Sequence, residues 1–243
     1  MSNNRIDNEN NKDEEKLNRE GIKGILLWYS LIIISFLALL FISGKWNWLN
    51  AWIYLGISVI SQTANVLLSI KKNPGMLNER GKIVKEGTKT FDKVFVTLTM
   101  PIILISMAII ALDAVVFRWS FMPEYFLIIG IFISFPGFIL GVWVMMTNPY
   151  FELTVRIQED RHHIVINSGP YKIIRHPGYA SEIILLFSTP MMLGSWWGYI
   201  PIGVMILGFI VRTALEDNTL RNELSGYEEY AKRTRYRLVP HIW

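Results

Sequence analysis

The stretch Tyr125–Thr147, YFLIIGIFISFPGFILGVWVMMT, contains no charged side chain. An uncharged apolar stretch of about 18 residues or more is long enough to cross the hydrocarbon core of a bilayer. Three other stretches have the same character, namely Gly24–Gly44, Trp48–Ile70 and Val94–Leu112. A soluble protein would have to bury each of them on all sides. The sequence therefore predicts an all-α integral membrane protein.

Two shorter apolar runs follow the four long ones. We place the long spans at about 24–43, 48–70, 94–112 and 125–147, and the short runs at about 179–194 and 198–214. The motif GSWWG separates the short runs, so we predict about six hydrophobic helical segments, the last two forming a helical hairpin. Each arm is near the lower length limit for crossing a bilayer, so the hairpin either spans the membrane or is re-entrant.

These segments divide the chain into three parts. Residues 1–20 are polar and mixed in charge, which predicts a disordered cytoplasmic tail. Residues 21–147 are predicted to form four transmembrane helices with a basic loop at 71–93, and residues 148–243 to form the functional core. The first apolar segment is too long for a signal peptide and lacks a small-residue cleavage site, so no cleaved leader is expected.

The basic residues of the loops predict the orientation. Basic residues concentrate on the cytoplasmic side of membrane proteins. The 71–93 loop carries seven of them: Lys71, Lys72, Arg80, Lys82, Lys85, Lys89 and Lys93. The alternate loops carry only Lys45 and Arg118. Both termini, the 71–93 loop and the 148–177 stretch are therefore predicted to lie in the cytoplasm of a multi-pass cell-membrane protein.

Composition and missing motifs exclude several kinds of chemistry. The chain has no cysteine, so it has no disulfide, thiolate metal site or cysteine nucleophile. It has no GxGxxG, GxxxxGK[ST] or HExxH motif. His162 and His163 are adjacent and point apart, which makes them a poor metal pair, and we predict no metal. The net charge of +4 follows from the basic loops and does not indicate nucleic-acid binding.

Polar residues accumulate at one membrane face. The stretch 156–177 is rich in charged and aromatic polar groups, and Arg212 and Glu216 follow at the end of the hairpin, four residues apart and so on one helix face. Both arms of the hairpin connect at the cytoplasmic side, which brings these groups together in one composite site. Glu182 lies inside a span, where an ionisable residue is a candidate functional group, although pairing with Arg175 is an alternative.

Smaller polar and glycine motifs lie within the long spans. Gly137 and Gly141 form a GxxxG motif suited to close helix contact. Gln62 and Asn65 share a face of the second span, as interhelical hydrogen-bonding groups or as pocket residues.

The C-terminal part closely resembles a known family. The stretch SGPYKIIRHPGYAS, the apolar hairpin and the following RTALEDNTLRNELSGYEEYAKRTRYRLVPHIW resemble the isoprenylcysteine carboxyl methyltransferase family, which is itself similar to the phospholipid N-methyltransferases. NPYFELTVRIQEDRHH and KEGTKTFDK resemble its bacterial branch. The resemblance implies an integral membrane methyltransferase that uses S-adenosylmethionine, with a cofactor pocket built from the cytoplasmic segment and the hairpin.

The resemblance also implies roles for individual residues. The implied cofactor-binding residues are Gln158, His163, Ile164, Val165, Ile166, Tyr171, Arg175, His176, Pro177, Gly178, Tyr179 and Glu216. Arg212 matches an arginine at the substrate end and is the implied catalytic residue, where a guanidinium would hold an acceptor carboxylate. The chain departs from the family at Asp217, where the pattern prefers a second glutamate.

These residue types suit methyl transfer. Glu216 can accept hydrogen bonds from the ammonium or ribose of the cofactor, and His176 or Arg175 can donate to its carboxylate. An in-line displacement needs alignment and exclusion of water more than a strong base. The resemblance thus implies carboxyl O-methylation of a lipophilic or lipid-linked substrate. The alternatives are a phospholipid or other amine N-methyltransferase, a membrane NADPH-dependent reductase, and a non-enzymatic scaffold or transporter.

Overall fold

The computed structural model describes residues 16–82 and 85–243, and within these ranges the chain forms eight α-helices and no strand. The predicted disordered tail lies mostly outside the described residues. In chain order the helices are α1 (Arg19–Ser43), α2 (Leu49–Lys72), α3 (Pro74–Arg80), α4 (Thr90–Ala111), α5 (Tyr125–Thr147), α6 (Pro177–Leu193), α7 (Tyr199–Glu223) and α8 (Tyr227–Arg233). The predicted all-α membrane fold is confirmed.

Five of these helices are long and apolar enough to cross a membrane. They are α1, α2, α5, α7 and α4, which continues as a π-helical segment over Leu112–Phe117. Helix α6 is shorter, with 17 residues. The predicted hairpin is present as α6 and α7, but α7 continues nine residues beyond its predicted end. That extension carries Glu216 and Asp217 on helical backbone.

Helix α6 packs most closely on α5, through the small residues of α5. A side chain at Gly137 would meet Ile184 of α6 at 2.9 Å, and one at Gly141 would meet Ser181 Oγ at 2.8 Å. The Ser181 hydroxyl also donates to the carbonyl of Gly137 at 2.8 Å. Small residues let helix backbones approach closely in a membrane. The predicted contact of the GxxxG motif is therefore confirmed, and it places the start of α6 firmly in the bundle.

One end of the bundle is held by a buried aspartate. Asp113 is fully buried and accepts hydrogen bonds from the backbone and hydroxyl of Ser120, both at 2.8 Å, and from the Ser195 hydroxyl at 2.6 Å. The backbone N–H of Trp197 adds a fourth bond at 3.2 Å. These bonds connect α4 to the loop before α5 and to the turn between α6 and α7.

The other end gathers the loops that are rich in basic residues. Lys89 donates from its backbone to Val155 at 3.1 Å and pairs through its side chain with Glu223 at 2.7 Å. Lys85 forms a buried pair with Glu152 at 2.7 Å. The 71–93 loop, the 148–177 segment and the end of α7 thus form one polar layer at the same end of the bundle.

Candidate active site

A polar cavity lies where the 148–176 segment meets the start of α6, the C-terminal half of α7 and α8. It encloses about 810 Å³ of empty space, including its open mouth. The lining includes every predicted site residue except one: Gln158, His163, Ile164, Val165, Ile166, Tyr171, Arg175, His176, Gly178, Tyr179, Arg212 and Glu216. The exception, Pro177, is buried at the first position of α6. The fold therefore brings nearly all of these separate sequence positions around one space.

Glu216 is the carboxylate that faces the cavity. The hydroxyl of Tyr179, on the first turn of α6, donates to its Oε2. Among the described residues, no hydrogen bond reaches Oε1. The ring of Tyr179 also stacks on His176, with centroids 5.9 Å apart and an interplanar angle of 7°. One carboxylate oxygen is thus held in place while the other is available to a ligand.

Asp217, the next residue, points away from the cavity and into the protein. Successive residues of an α-helix are about 100° apart around its axis, so adjacent carboxylates can serve different surroundings. Asp217 is fully buried and accepts two parallel hydrogen bonds from Arg175, Nε to Oδ1 at 2.6 Å and Nη2 to Oδ2 at 3.0 Å. The Nη1 group of Arg175 donates to the carbonyls of Thr234 and Arg235 at 2.8 and 2.7 Å. Arg175, a predicted cofactor residue, therefore makes four side-chain hydrogen bonds to protein groups.

Further donors surround Asp217. Arg237 Nε and Arg221 Nε contact Oδ2 at 2.9 and 3.2 Å, and the Tyr227 hydroxyl donates to Oδ1 at 3.1 Å. His176 Nε2 lies 3.3 Å from the same oxygen. A buried carboxylate is tolerated when it is paired and hydrogen-bonded. The residue at which the chain departs from the family pattern thus joins α6, α7, α8 and the C-terminal tail.

Arg212 is paired, but with a residue outside the predicted site. Its Nε lies 2.7 Å from Oδ1 of Asp92, which is fully buried on the first turn of α4. Its Nη2 donates to the carbonyl of Leu153 at 2.6 Å. Arg212 therefore pairs with Asp92 and not with Glu216, four residues further along α7. Asp92 also accepts from the backbone of Val155 at 2.7 Å, so it fixes the wall of the cavity from two sides.

Two aromatic rings enclose the Arg212 guanidinium. Its central carbon lies 4.6 Å from the ring centroid of Phe95 and 5.1 Å from that of Tyr179. A cation within about 6 Å of an aromatic centroid is attracted by the ring quadrupole. Arg212 is therefore held rigidly beside the same tyrosine that donates to Glu216.

Two predicted cofactor residues of the 148–176 segment, Gln158 and His163, make contacts to protein groups in the structure. Gln158 is buried, and its amide donates to the carbonyl of Tyr150 and accepts from Arg161, both at 2.8 Å. Both the nitrogen and the oxygen of this amide are thus bonded within the 148–176 segment. His163 packs on Tyr150 with ring centroids 4.5 Å apart, and its Nδ1 lies 3.5 Å from the backbone N–H of Gln158.

The surroundings of His163 keep it neutral. Burial lowers the pKa of this imidazole from 6.5 to about 4, and the nearby charges of Arg161 and Arg156 act in the same direction. The unfolded chain binds the proton first as the pH falls, so acid below about pH 6 destabilises the folded state through this residue. We expect the NMR titration of labelled His163 to have a midpoint near 4, with His163→Gln identifying its signals. A midpoint near 6.5 would contradict this environment.

Tyr171 supports the opposite wall of the cavity. Its hydroxyl accepts from Asn148 Nδ2 at 2.8 Å, and its backbone carbonyl accepts from the Tyr230 hydroxyl at 2.7 Å. Burial raises the pKa of the Tyr171 hydroxyl well above its usual range. Tyr171 therefore stays neutral and links the end of α5 to α8.

Sequence comparisons with known proteins find a match over part of the chain. Residues 128–222 match the family model described as the isoprenylcysteine carboxyl methyltransferase (ICMT) family. Over these residues the chain is similar to that family. It includes α6, nearly all of α7 and the cavity-lining segment between α5 and α6. The predicted family resemblance is therefore confirmed over these residues.

One curated member of the ICMT family shows similarity over a shorter stretch. The protein-S-isoprenylcysteine O-methyltransferase B of Arabidopsis thaliana is 31% identical over 81 residues, which are 32% of this chain and 41% of that protein. The chain thus spans less than half the length of this relative in the match.

The cavity residues suit the cofactor that the ICMT family implies. S-adenosylmethionine offers ammonium and ribose donors, a carboxylate and an adenine ring. Oε1 of Glu216 is an acceptor without a partner among the described residues, and His176 Nδ1 likewise has none there. Ile164, Val165 and Leu220 add apolar surface for a ring. Glu216 would hold donors of the cofactor, and His176 its carboxylate.

Proposed function

We propose that this protein is a membrane-embedded S-adenosylmethionine-dependent methyltransferase that acts on an oxygen atom of a lipophilic acceptor. The observation that carries the proposal is the available Glu216 carboxylate, oriented by Tyr179, in a cavity formed by the ICMT-family segments. This cavity lies where the polar layer meets the membrane helices. A polar cofactor and an apolar acceptor can meet only at such a boundary.

When bound, the cofactor supplies an electrophilic methyl group on a sulfonium. The protein contributes position and exclusion of water, which are the main requirements of an in-line displacement. Tyr179 and Glu216 fix one side of the cavity, and the hydrogen bonds of Asp217 hold the C-terminal tail against α7. Arg212 lines the cavity, and among the described residues its Nη1 has no hydrogen-bond partner, so it can donate to an acceptor oxygen but not to a protonated amine, which supports an oxygen acceptor over a phospholipid amine. The carboxyl oxygen implied by the resemblance stays a prediction.

The direct test uses purified protein in lipid nanodiscs with labelled S-adenosylmethionine and native membrane extract. We expect cofactor binding, and a methyl ester or ether among the labelled products. A methylated amine as the product would contradict the oxygen acceptor, and binding of NADPH instead of S-adenosylmethionine would support the reductase alternative.

Glu216→Ala should weaken cofactor binding by roughly ten- to a hundred-fold. A hydrogen bond to a charged group is worth about 1.5–3 kcal/mol. Glu223→Ala is the matched control, because this carboxylate lies on the same helix and is largely exposed, with Lys89 as its partner. Equal affinity of the Glu216 variant and the control, measured by equilibrium binding, would remove Glu216 from the cofactor site.

We propose that the polar layer faces the cytoplasm. Reporter fusions at residues 1, 82, 160 and 243 should all report the cytoplasmic side, because the basic loops and the C-terminal tail share this layer. A reporter inserted near residue 120 should report the opposite side. An external reporter at residue 82 would reverse the orientation.

A further inference from the structure

A second cavity lies within the membrane part of the protein, between α1, α2, α3, α5 and α6. It has about 1530 Å³ of empty space, including its open mouth. Its lining on α6 extends from Gly178 to Met192, which at 1.5 Å per residue is about 21 Å. That is about two thirds of the apolar thickness of a bilayer. The cavity is thus long enough for an extended lipid-like chain.

Arg80 supplies a cation to this cavity. It ends α3, and its guanidinium lies 5.5 Å from the ring of Trp28 and 5.0 Å from that of Phe151. In the described part of the chain, the side chain of Arg80 has no hydrogen bond and no carboxylate within ion-pair distance, and its Nη1 is buried. Desolvated donors without partners are rare and costly in folded proteins. Such a cation at a cavity wall indicates a ligand group that accepts hydrogen bonds.

Two acceptors share the cavity with Arg80. Oδ1 of Asn65 is buried and, among residues 16–82 and 85–243, has no donor. Glu182 also lines the cavity and keeps an exposed surface. The predicted alternative that Glu182 pairs with Arg175 is wrong, because Arg175 binds Asp217 instead. An ionisable side chain inside a membrane span is a functional candidate by default.

We propose that this cavity binds a lipophilic alcohol or phenol, whose hydroxyl lies between Arg80 and Glu182. A hydroxyl both accepts and donates, so it satisfies Arg80 and one of the acceptors at once. A carboxylate would satisfy Arg80 but would be repelled by Glu182 and bring no donor. An ammonium group would satisfy Glu182 and be repelled by Arg80.

The proposed ligand lies next to the first cavity. Phe151 and Gly178 line both cavities, and a side chain at Gly178 would meet the Phe151 ring at 2.7 Å. These two residues thus form part of the boundary between the two spaces, and Arg80 lies against the Phe151 ring. Resting on the proposed function, the bound alcohol is the methyl acceptor. With the cofactor bound, this oxygen would gain the methyl as the sulfonium C–S bond breaks, and the Glu182 carboxylate would take the hydroxyl proton.

The test measures binding without the cofactor, so its result does not depend on methyl transfer. Protein in nanodiscs is photolabelled with cetyl alcohol that carries a diazirine in its chain, and the labelled peptides are mapped by mass spectrometry. We expect labels on the cavity-lining faces of α2, α5 and α6. Unlabelled cetyl alcohol should compete about ten-fold better than palmitic acid or cetylamine, which have the same chain length.

Three variants sharpen the test. Arg80→Met should lower labelling about ten-fold, whereas Ser134→Ala should not change it, because the Ser134 hydroxyl lines the same cavity but is bonded to its own helix at Ile131. Glu182→Gln removes the negative charge and should let palmitic acid compete as well as the alcohol. Labels confined to the lipid-facing surface, or equal competition by all three compounds in the wild type, would overturn the proposal. Cofactor binding, measured separately, tests the proposed function.

Discussion

Asp217→Ala should lower the free energy of unfolding by about 3–5 kcal/mol and release the C-terminal tail. Removing one partner of a buried ion pair leaves the other charge buried without compensation, which is the reason for so large a cost. Arg175 would be that uncompensated charge, since it is buried and bonded bidentately to Asp217. The measurement is thermal or denaturant unfolding in detergent, together with the rate of proteolysis beyond Arg233.

Glu228→Gln is the matched control for this prediction. Glu228 pairs with Arg221 at 2.8 Å but is about half exposed, so its loss should cost less than about 1 kcal/mol. Asp217→Glu should recover part of the stability, because it keeps the charge. If Asp217→Ala unfolded at the same temperature as Glu228→Gln, the tail would not depend on this aspartate.

Arg212→Met should also cost about 3–5 kcal/mol, because it leaves Asp92 buried without a counter-charge. Asp92 has no exposed surface, and its second oxygen already accepts from Val155. Arg212→Lys keeps the charge beside Asp92 and should recover most of the stability. Lysine lacks the planar fork, however, so it cannot reach Leu153 and stack between Phe95 and Tyr179 in the same way.

The lysine variant separates the two roles of Arg212. We expect its turnover with membrane extract to fall at least about ten-fold even where its unfolding temperature is close to that of the wild type. Normal turnover would reduce Arg212 to a counter-charge for Asp92. Wild-type stability of Arg212→Met would show instead that the buried pair with Asp92 is not formed.

The membrane class and the approximate positions of the helices could be predicted from the sequence. Each depends on hydrophobicity within one contiguous stretch, such as Tyr125–Thr147. The close contact of the GxxxG motif likewise depends on the glycine spacing within that stretch. The end of α7 was predicted nine residues too early, because hydrophobicity stops where the helix leaves the apolar layer. The backbone continues to Glu223, since its hydrogen bonds do not depend on the apolar side chains.

The candidate site was only partly predictable. The residue types of the family segment identified the lining of the first cavity, with Glu216 and Tyr179 among them. Sequence reasoning missed Asp92, which was counted in the basic 71–93 stretch, starts α4 in the structure and carries no local signal of its partner. It also assigned Arg175 and Gln158 to the cofactor, whereas the structure shows their polar groups bonded to protein. The arginines of the C-terminal tail were the available sequence signal for a buried carboxylate, and one of them, Arg237, binds Asp217.

The sequence by itself determined that this is a helical membrane protein with a polar site at one membrane face, because hydrophobic length and loop charge are properties of short segments. Only the tertiary structure decided which charges are neutralised and which are available. Arg175 and Asp217 lie 42 residues apart and meet only when α6 packs against α7. Arg80 and Glu182 share a cavity only because α3 and α6 line the same space in the folded bundle. Charge pairing inside a low-dielectric bundle depends on distances that helix packing sets, and no local pattern encodes them.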